Sequence, residues 1–257
     1  MQVFLLELKL LFRDRASWVL LFLFAGSLGY GVWNGSQSAQ ASRDSVKKVG
    51  ERVDSFEENL VPKLMARKYP ASRYLFYGES AALPAAPLPY LATGQSDLSP
   101  NHDRVTLMRR HIPRGSRSEI QNPANLMAGR FDLAFVLVWL YPLFLLGLAY
   151  DLIAGDRETG TFRLALAQGV SPARILVLRA FARALPVITL AIVGTFAASV
   201  LDDSAATDLR VVLAAAIVLV YGLFWSSLAA WVNSRSRSAA GSATGLGAAW
   251  VTLVLVV

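Results

Sequence analysis

Cysteine is absent from the 257 residues, so neither a disulfide framework nor a thiolate metal site is available to this chain. Charge is scarce as well. Only 17% of residues are Asp, Glu, Lys or Arg, against about 25% in an ordinary soluble domain. Histidine occurs twice, at His102 and His111, nine positions apart. With Asp103 beside the first they form at most a sparse metal-ligand set, and exposed loop histidines are the expectation. No nucleophile, base and orienter can be assembled by spacing, so no catalytic residue, cofactor-binding residue or metal ligand is assigned. A Gly-x-x-x-x-Gly-Lys-Ser/Thr phosphate loop is also missing: Gly155 to Thr161 holds two glycines, but no lysine follows them. The chain has no ATPase site of its own, and its chemistry must be powered from elsewhere.

What fills the sequence is apolar residue content, 54% of the total, with a mean hydropathy of +0.44. It is concentrated in runs. Five segments, 16–33, 133–150, 185–201, 211–232 and 239–257, contain no Asp, Glu, Lys or Arg. Each approaches the roughly 17 to 25 residues that a hydrocarbon core of about 30 Å demands of a helix. The expected fold class is therefore an all-α polytopic membrane protein with five transmembrane helices. Pro142 predicts a kink in the second span; Pro186 falls in the first turn of the third, a tolerated position. The last run, 239–257, has no polar border after it, which suggests a chain that stops short of a sixth span.

Orientation follows from the short loops. Segment 151–184 carries Arg157, Arg163, Arg174, Arg179 and Arg183, and segment 233–238 carries Arg235 and Arg237, whereas 202–210 is acidic until Arg210. The two basic loops belong in the cytoplasm and the acidic one outside, which leaves the N-terminus cytoplasmic, in agreement with Lys9, Arg13 and Arg15. In this setting the net charge of +7 reflects loops and lipid headgroups, with no nucleic acid among the expected partners. Residues 1–15 read as an amphipathic interfacial helix, with Phe4, Leu5, Leu8, Leu11 and Phe12 on one face and Glu7, Lys9, Arg13 and Asp14 elsewhere.

Residues 34–132 form a long polar insertion assigned to the outside. Val46, Val49, Val53, Phe56, Leu60 and Leu64 recur at helical steps, which predicts that the first span continues as a helix, bent before Pro62. Three prolines between Leu83 and Tyr90 predict an extended path, and Asn122-Pro123 a turn. The insertion is expected to be α-rich or mixed.

The loop after the second span is the most specific stretch. Thr161 is placed as N-cap of a short helix over 162–168, Gly169 as its C′ residue, and Ser171-Pro172 as the cap and first position of a second helix leading into the third span. Asp156-Arg157-Glu158-Thr159-Gly160-Thr161-Phe162-Arg163, followed by Leu-Ala-Leu-Ala-Gln-Gly-Val-Ser-Pro-Ala-Arg, resembles the acidic-Arg-Glu-x-Gly-Thr signature of type-2 ABC exporter permeases. Leu6 to Arg15 is similar to their N-terminal elbow helix. Leu91 to Pro100 and Asn122 to Asp132 resemble a subgroup with a large periplasmic insertion. The resemblance implies a bacterial inner-membrane permease whose 156–163 stretch forms a coupling helix against a separate ABC ATPase subunit, which would bind ATP and Mg. It also implies pairing with a second permease copy or homologue. Gly26, Gly29 and Gly31 in the first span and Gly241 and Gly245 in the fifth are read as helix-packing positions, within or between subunits. A membrane-anchored sensor or assembly scaffold acting through the insertion stays open as a second reading.

Overall fold

A computed structural model describes residues 2–66, 78–82, 88–92, 102–106, 131–169, 171–201 and 208–256. The chain divides into two compact units, Met1–Trp33 with Leu133–Val257, and Asn34–Asp132. The first unit is helical throughout its described residues. It contains α1 (Gln2–Arg13), the start of α2 (Arg15–Met65), α3 (Leu133–Phe135), a π-helical turn (Val136–Leu140) and α4 (Tyr141–Ala149). Next come α5 (Ala154–Glu158), α6 (Thr161–Ala167), α7 (Pro172–Leu201), α8 (Leu209–Arg235), α9 (Ala239–Trp250) and a second π-helical turn (Val251–Val256). Among the described residues four helical stretches are long and apolar enough to cross a bilayer: Arg15–Glu51, Leu133–Glu158, Pro172–Leu201 and Leu209–Arg235. The fifth, Ala239–Leu255, is apolar but shorter. The fold is that of an all-α polytopic membrane protein.

Within the second unit α2 continues past Pro62, and a two-stranded antiparallel sheet pairs β1 (Gly78–Ala82) with β2 (His102–Thr106), Ala82 opposite His102. His102 is thus a strand residue and not a loop histidine; His111 lies outside the described residues. Leu88 adopts φ 64°, and the Leu91 amide donates to the Leu88 carbonyl at 3.1 Å. Leu88 to Leu91 is therefore a turn, with its left-handed residue just ahead of Pro89, where an extended path was expected. Residues 83–87, Asn122-Pro123 and most of the acidic 202–210 segment lie outside the described residues.

Proline is handled differently in the two spans. Pro142 has no N–H for the carbonyl of Val138, one helical turn earlier. The chain absorbs this by widening the preceding turn to π geometry, with the Tyr141 amide bonding to the Val136 carbonyl. The Val138 carbonyl takes the Tyr221 hydroxyl of α8 instead, at 3.2 Å, and the neighbouring Trp139 carbonyl takes the Trp250 indole N–H of α9 at 3.3 Å. In hydrocarbon such groups must find protein partners, so the irregular turn also ties three spans together. Pro186 does not open a helix: it sits inside α7, which runs unbroken from Pro172 to Leu201. The arginine-bearing approach and the third span are one rod.

The core is an aromatic column. Phe24 of α2 stacks on Tyr141 with centroids 5.8 Å apart, Tyr141 meets Tyr221 at 6.2 Å, and Tyr221 packs edge-on to the buried Trp225 at 6.1 Å. This column needs Gly222. A Cβ there would overlap the Tyr141 hydroxyl and stand 2.9 Å from Ile188 Cγ1. Gly222→Ala should therefore destabilise the protein by about 1–3 kcal/mol through overpacking, read as a lowered midpoint of thermal unfolding in detergent; an unchanged midpoint would refute this packing account.

The glycines expected to pack helices divide. Gly245 does approach a neighbour, its Cβ position lying 3.2 Å from Val232 of α8, while Gly241 adjoins only Ser238, the cap of its own helix. Gly31 is buried. A Cβ at Gly26 or Gly29 would meet nothing within 4 Å among the described residues. Gly194, against Leu28 at 3.3 Å, and Gly147, against Leu20 at 3.5 Å, supply close approaches that periodicity did not single out.

Candidate functional site

The site is built where α1, α5, α6 and the roots of α7, α8 and α9 converge. Asp14 breaks α1 from α2 and caps the latter: its carboxylate accepts from the Ala16 amide at 3.2 Å and from the Ser17 amide and hydroxyl at 3.0 and 2.8 Å. The hydrogen bonds from Ser17 hold this carboxyl below its ordinary value of 3.8. Residue 14 therefore stays ionised at neutral pH and caps the first span.

Helix α1 buries an acid together with part of its apolar face. Leu5 and Phe12 are exposed, whereas Glu7 is buried beside Leu11. The reason is a partner far along the chain. Arg179 of α7 donates through Nε to Glu7 Oε1 at 2.8 Å and through Nη1 to the Leu152 carbonyl at 2.7 Å and to Asp156 Oδ2. A guanidinium has several donors in a fixed fork, so one side chain joins the N-terminal helix, the third span and α5.

A second clamp joins α5 to the fourth and fifth spans. Asn233 near the end of α8 is fully buried. Its Oδ1 accepts from the Leu152 amide at 3.0 Å, and its Nδ2 donates to the Ala149 and Ala229 carbonyls at 2.9 and 3.0 Å. Arg157 Nη1 donates to the carbonyls of Asn233, Ser234 and Ser236 at 3.3, 3.0 and 2.7 Å. These are the orphan acceptors at the C-terminal end of α8, where positive charge is also favoured by the helix dipole. Glu158 Oε2 accepts from the Ala239 amide at the start of α9, at 3.4 Å.

Helix α6 is set off by two left-handed glycines, Gly160 at φ 79° and Gly169 at φ 77°, a conformation that other residues adopt at a cost of roughly 1–2 kcal/mol. Thr161 is the first residue of α6 and not its side-chain cap. Its hydroxyl reaches back to the Asp156 carbonyl at 3.3 Å and lies 3.0 Å from the Thr159 hydroxyl, stiffening the corner. Phe162 roots the helix, packing with Ile153 and Ile175 under the Arg157 guanidinium, 5.3 Å from its ring centroid. The described side chains beyond that root are presented outward: Arg163 is exposed, as are Leu164 at 67% and Leu166 at 39%.

The eight residues 156–163 are thus not one contact strip. Asp156, Arg157 and Phe162 turn inward and hold the loop to the spans; Glu158, Thr159, Thr161 and Arg163 are exposed, with Gly160 at the corner. Glu7, Arg179 and Asn233 were missed as members of the site, as were Leu164 and Leu166. Arg179 was visible only as one more positive charge.

The model of the ABC-2 family transporter protein matches residues 1–257. The chain belongs to the ABC-2 transporter family. It is therefore a multi-pass permease subunit of an ABC transporter, a class that works with a separate ATPase subunit. No curated protein and no solved structure matches the chain. Family membership sets aside the sensor or scaffold as the leading description. The second unit, Asn34–Asp132, falls between its first two spans in the chain.

Proposed function

We propose that this ABC-2 permease moves substrate outward across the bacterial inner membrane on the power of a partner ATPase, which binds the ATP and Mg, and that α6 is the element the ATPase grips. The observation that carries this is the contrast within α6. Its root is packed and clamped to the spans, and its tip offers Leu164 and Leu166 to a partner. Two exposed leucines on one short helix suit insertion into a groove, and Arg163 beside them suits an acidic rim. The N-terminus and both arginine-rich loops are cytoplasmic in this reading, and residues 34–132 are periplasmic. Export, as opposed to uptake, rests on the signature resemblance of 156–163 together with the elbow-like α1.

A second copy is proposed to cover the first span. Val19, Phe22, Leu23, Tyr30 and Trp33 are exposed hydrophobics of α2 lying on the same run as Gly26 and Gly29, where a Cβ would meet nothing within 4 Å among the described residues. Small residues flanked by large ones are the pattern by which spans approach closely in lipid.

Replacing Leu164 by Glu should leave insertion and folding intact, because the side chain touches solvent. It should cost about 2 kcal/mol of interface energy as a buried anchor, or about thirtyfold weaker association with the ATPase. Co-purification and ATPase stimulation in proteoliposomes measure this. Full stimulation by the Glu variant would remove α6 from the interface.

A further inference from the structure

A cavity of about 400 Å³ lies among α1, the first turns of α2, the end of α4 and the root of α7. Leu10, Leu11, Leu20 and Leu148 give it an apolar side. Its polar side holds four carboxylates, Glu7, Asp14, Asp151 and Asp156, and two guanidiniums, Arg179 and Arg183. Most of these are occupied with one another or with backbone. Arg179 takes Glu7 and Asp156, and Asp14 caps α2. Apart from the Asp14 cap, the two lining groups without an ion pair among the described residues are Arg183 and Asp151. Arg183 has five N–H donors and uses one on the Leu148 carbonyl at 3.1 Å, and among the described residues no carboxylate forms an ion pair with it. Asp151 spends Oδ1 on the Gly155 amide at 2.6 Å, and among the described residues its second oxygen has no partner.

A cation with spare donors and an anion with a spare acceptor thus line one cavity without closing on each other. They sit where span ends meet a helix whose leucines face outward, which is headgroup level whichever leaflet it is. We infer that this cavity seats the headgroup of a membrane aminophospholipid, with the phosphodiester on Arg183, the primary ammonium on Asp151 and the first acyl carbons along the leucine side. The formal charge of the lining, four carboxylates against two guanidiniums, opposes a lipid that brings only a negative charge. A zwitterionic headgroup adds none. A trimethylated ammonium has no N–H to give Asp151, so the primary amine is selected. The inference needs the spans but not the ATPase contact, so it stands or falls apart from the coupling proposal.

The test is native mass spectrometry of the delipidated full-length protein titrated with phosphatidylethanolamine, phosphatidylglycerol, phosphatidylcholine and water-soluble phosphoethanolamine. Phosphatidylethanolamine should be retained about tenfold better than the other two lipids, equal to about 1.4 kcal/mol, and free phosphoethanolamine only weakly. Arg183→Gln should abolish the retention and Arg183→Lys should keep part of it. Asp151→Asn should bind phosphatidylglycerol as well as phosphatidylethanolamine. Equal retention of all three lipids by the unaltered protein overturns the assignment, as does full retention by the Gln variant. Equal binding of free phosphoethanolamine does so too, by making this a site for a soluble metabolite. Should Arg183→Gln fail to fold, the headgroup preference of Asp151→Asn decides: a preference left intact overturns it.

Discussion

Arg179→Met should be among the most damaging single substitutions in the membrane unit. The side chain joins buried Glu7 to Asp156 and to the Leu152 carbonyl, and removing one member of a buried ionic cluster costs about 3–5 kcal/mol because its partner is left desolvated and unpaired. Asp156 is partly exposed and can turn to water; Glu7 cannot. The expected result is a large fall in the thermal midpoint together with loss of ATPase stimulation. Pairing the change with Glu7→Leu separates the two effects. With both charges gone the apolar pair should recover most of the stability, as replacements of buried ion pairs often do. Stimulation should stay low, since α1 and α5 have lost their link. A single variant as stable as the parent would mean that the Glu7–Arg179 contact contributes nothing, and a fully coupled double variant would mean that the link carries no force.

The second large effect is expected at Asn233. Leucine there has nearly the same volume but neither donor nor acceptor, so the Leu152 amide and the Ala149 carbonyl lose their partner inside the protein. An unsatisfied buried polar group costs about 1–3 kcal/mol, and two are created. Asn233→Leu should unfold well below the parent in detergent, and amide exchange should become faster at Leu152 than in the middle of α8. Exchange that rises equally everywhere would instead mean that the variant loosens the whole unit.

The contrast between what could and could not be read from sequence follows from distance along the chain. The spans were legible because a bilayer demands a run of apolar residues, and a run is local. The end of α6 was legible because only glycine takes φ near +80° cheaply and Gly169 stands where the helix stops, whereas the corner at Gly160 was not singled out. Glu7 was read as a solvent-side charge because its neighbours in sequence are all that a helical pattern can weigh; its partner lies 172 positions away. Asn233 looked like the polar end of a span, and its donor and acceptor partners are 81 and 84 positions away. Pro142 announced a disturbance, but its form depended on Tyr221, a hydroxyl from another helix.

The continuity of α7 has one more consequence. Its 30 residues span about 45 Å at 1.5 Å per residue, and no joint separates Arg179 from Ser199. A few degrees of tilt imposed at the end gripped by Glu7 and Asp156 displaces the far end by several ångströms, in the opposite sense if the helix pivots where Gly194 and Leu28 touch. Power delivered to one leaflet thereby becomes shape change in the other with no relay of side chains between.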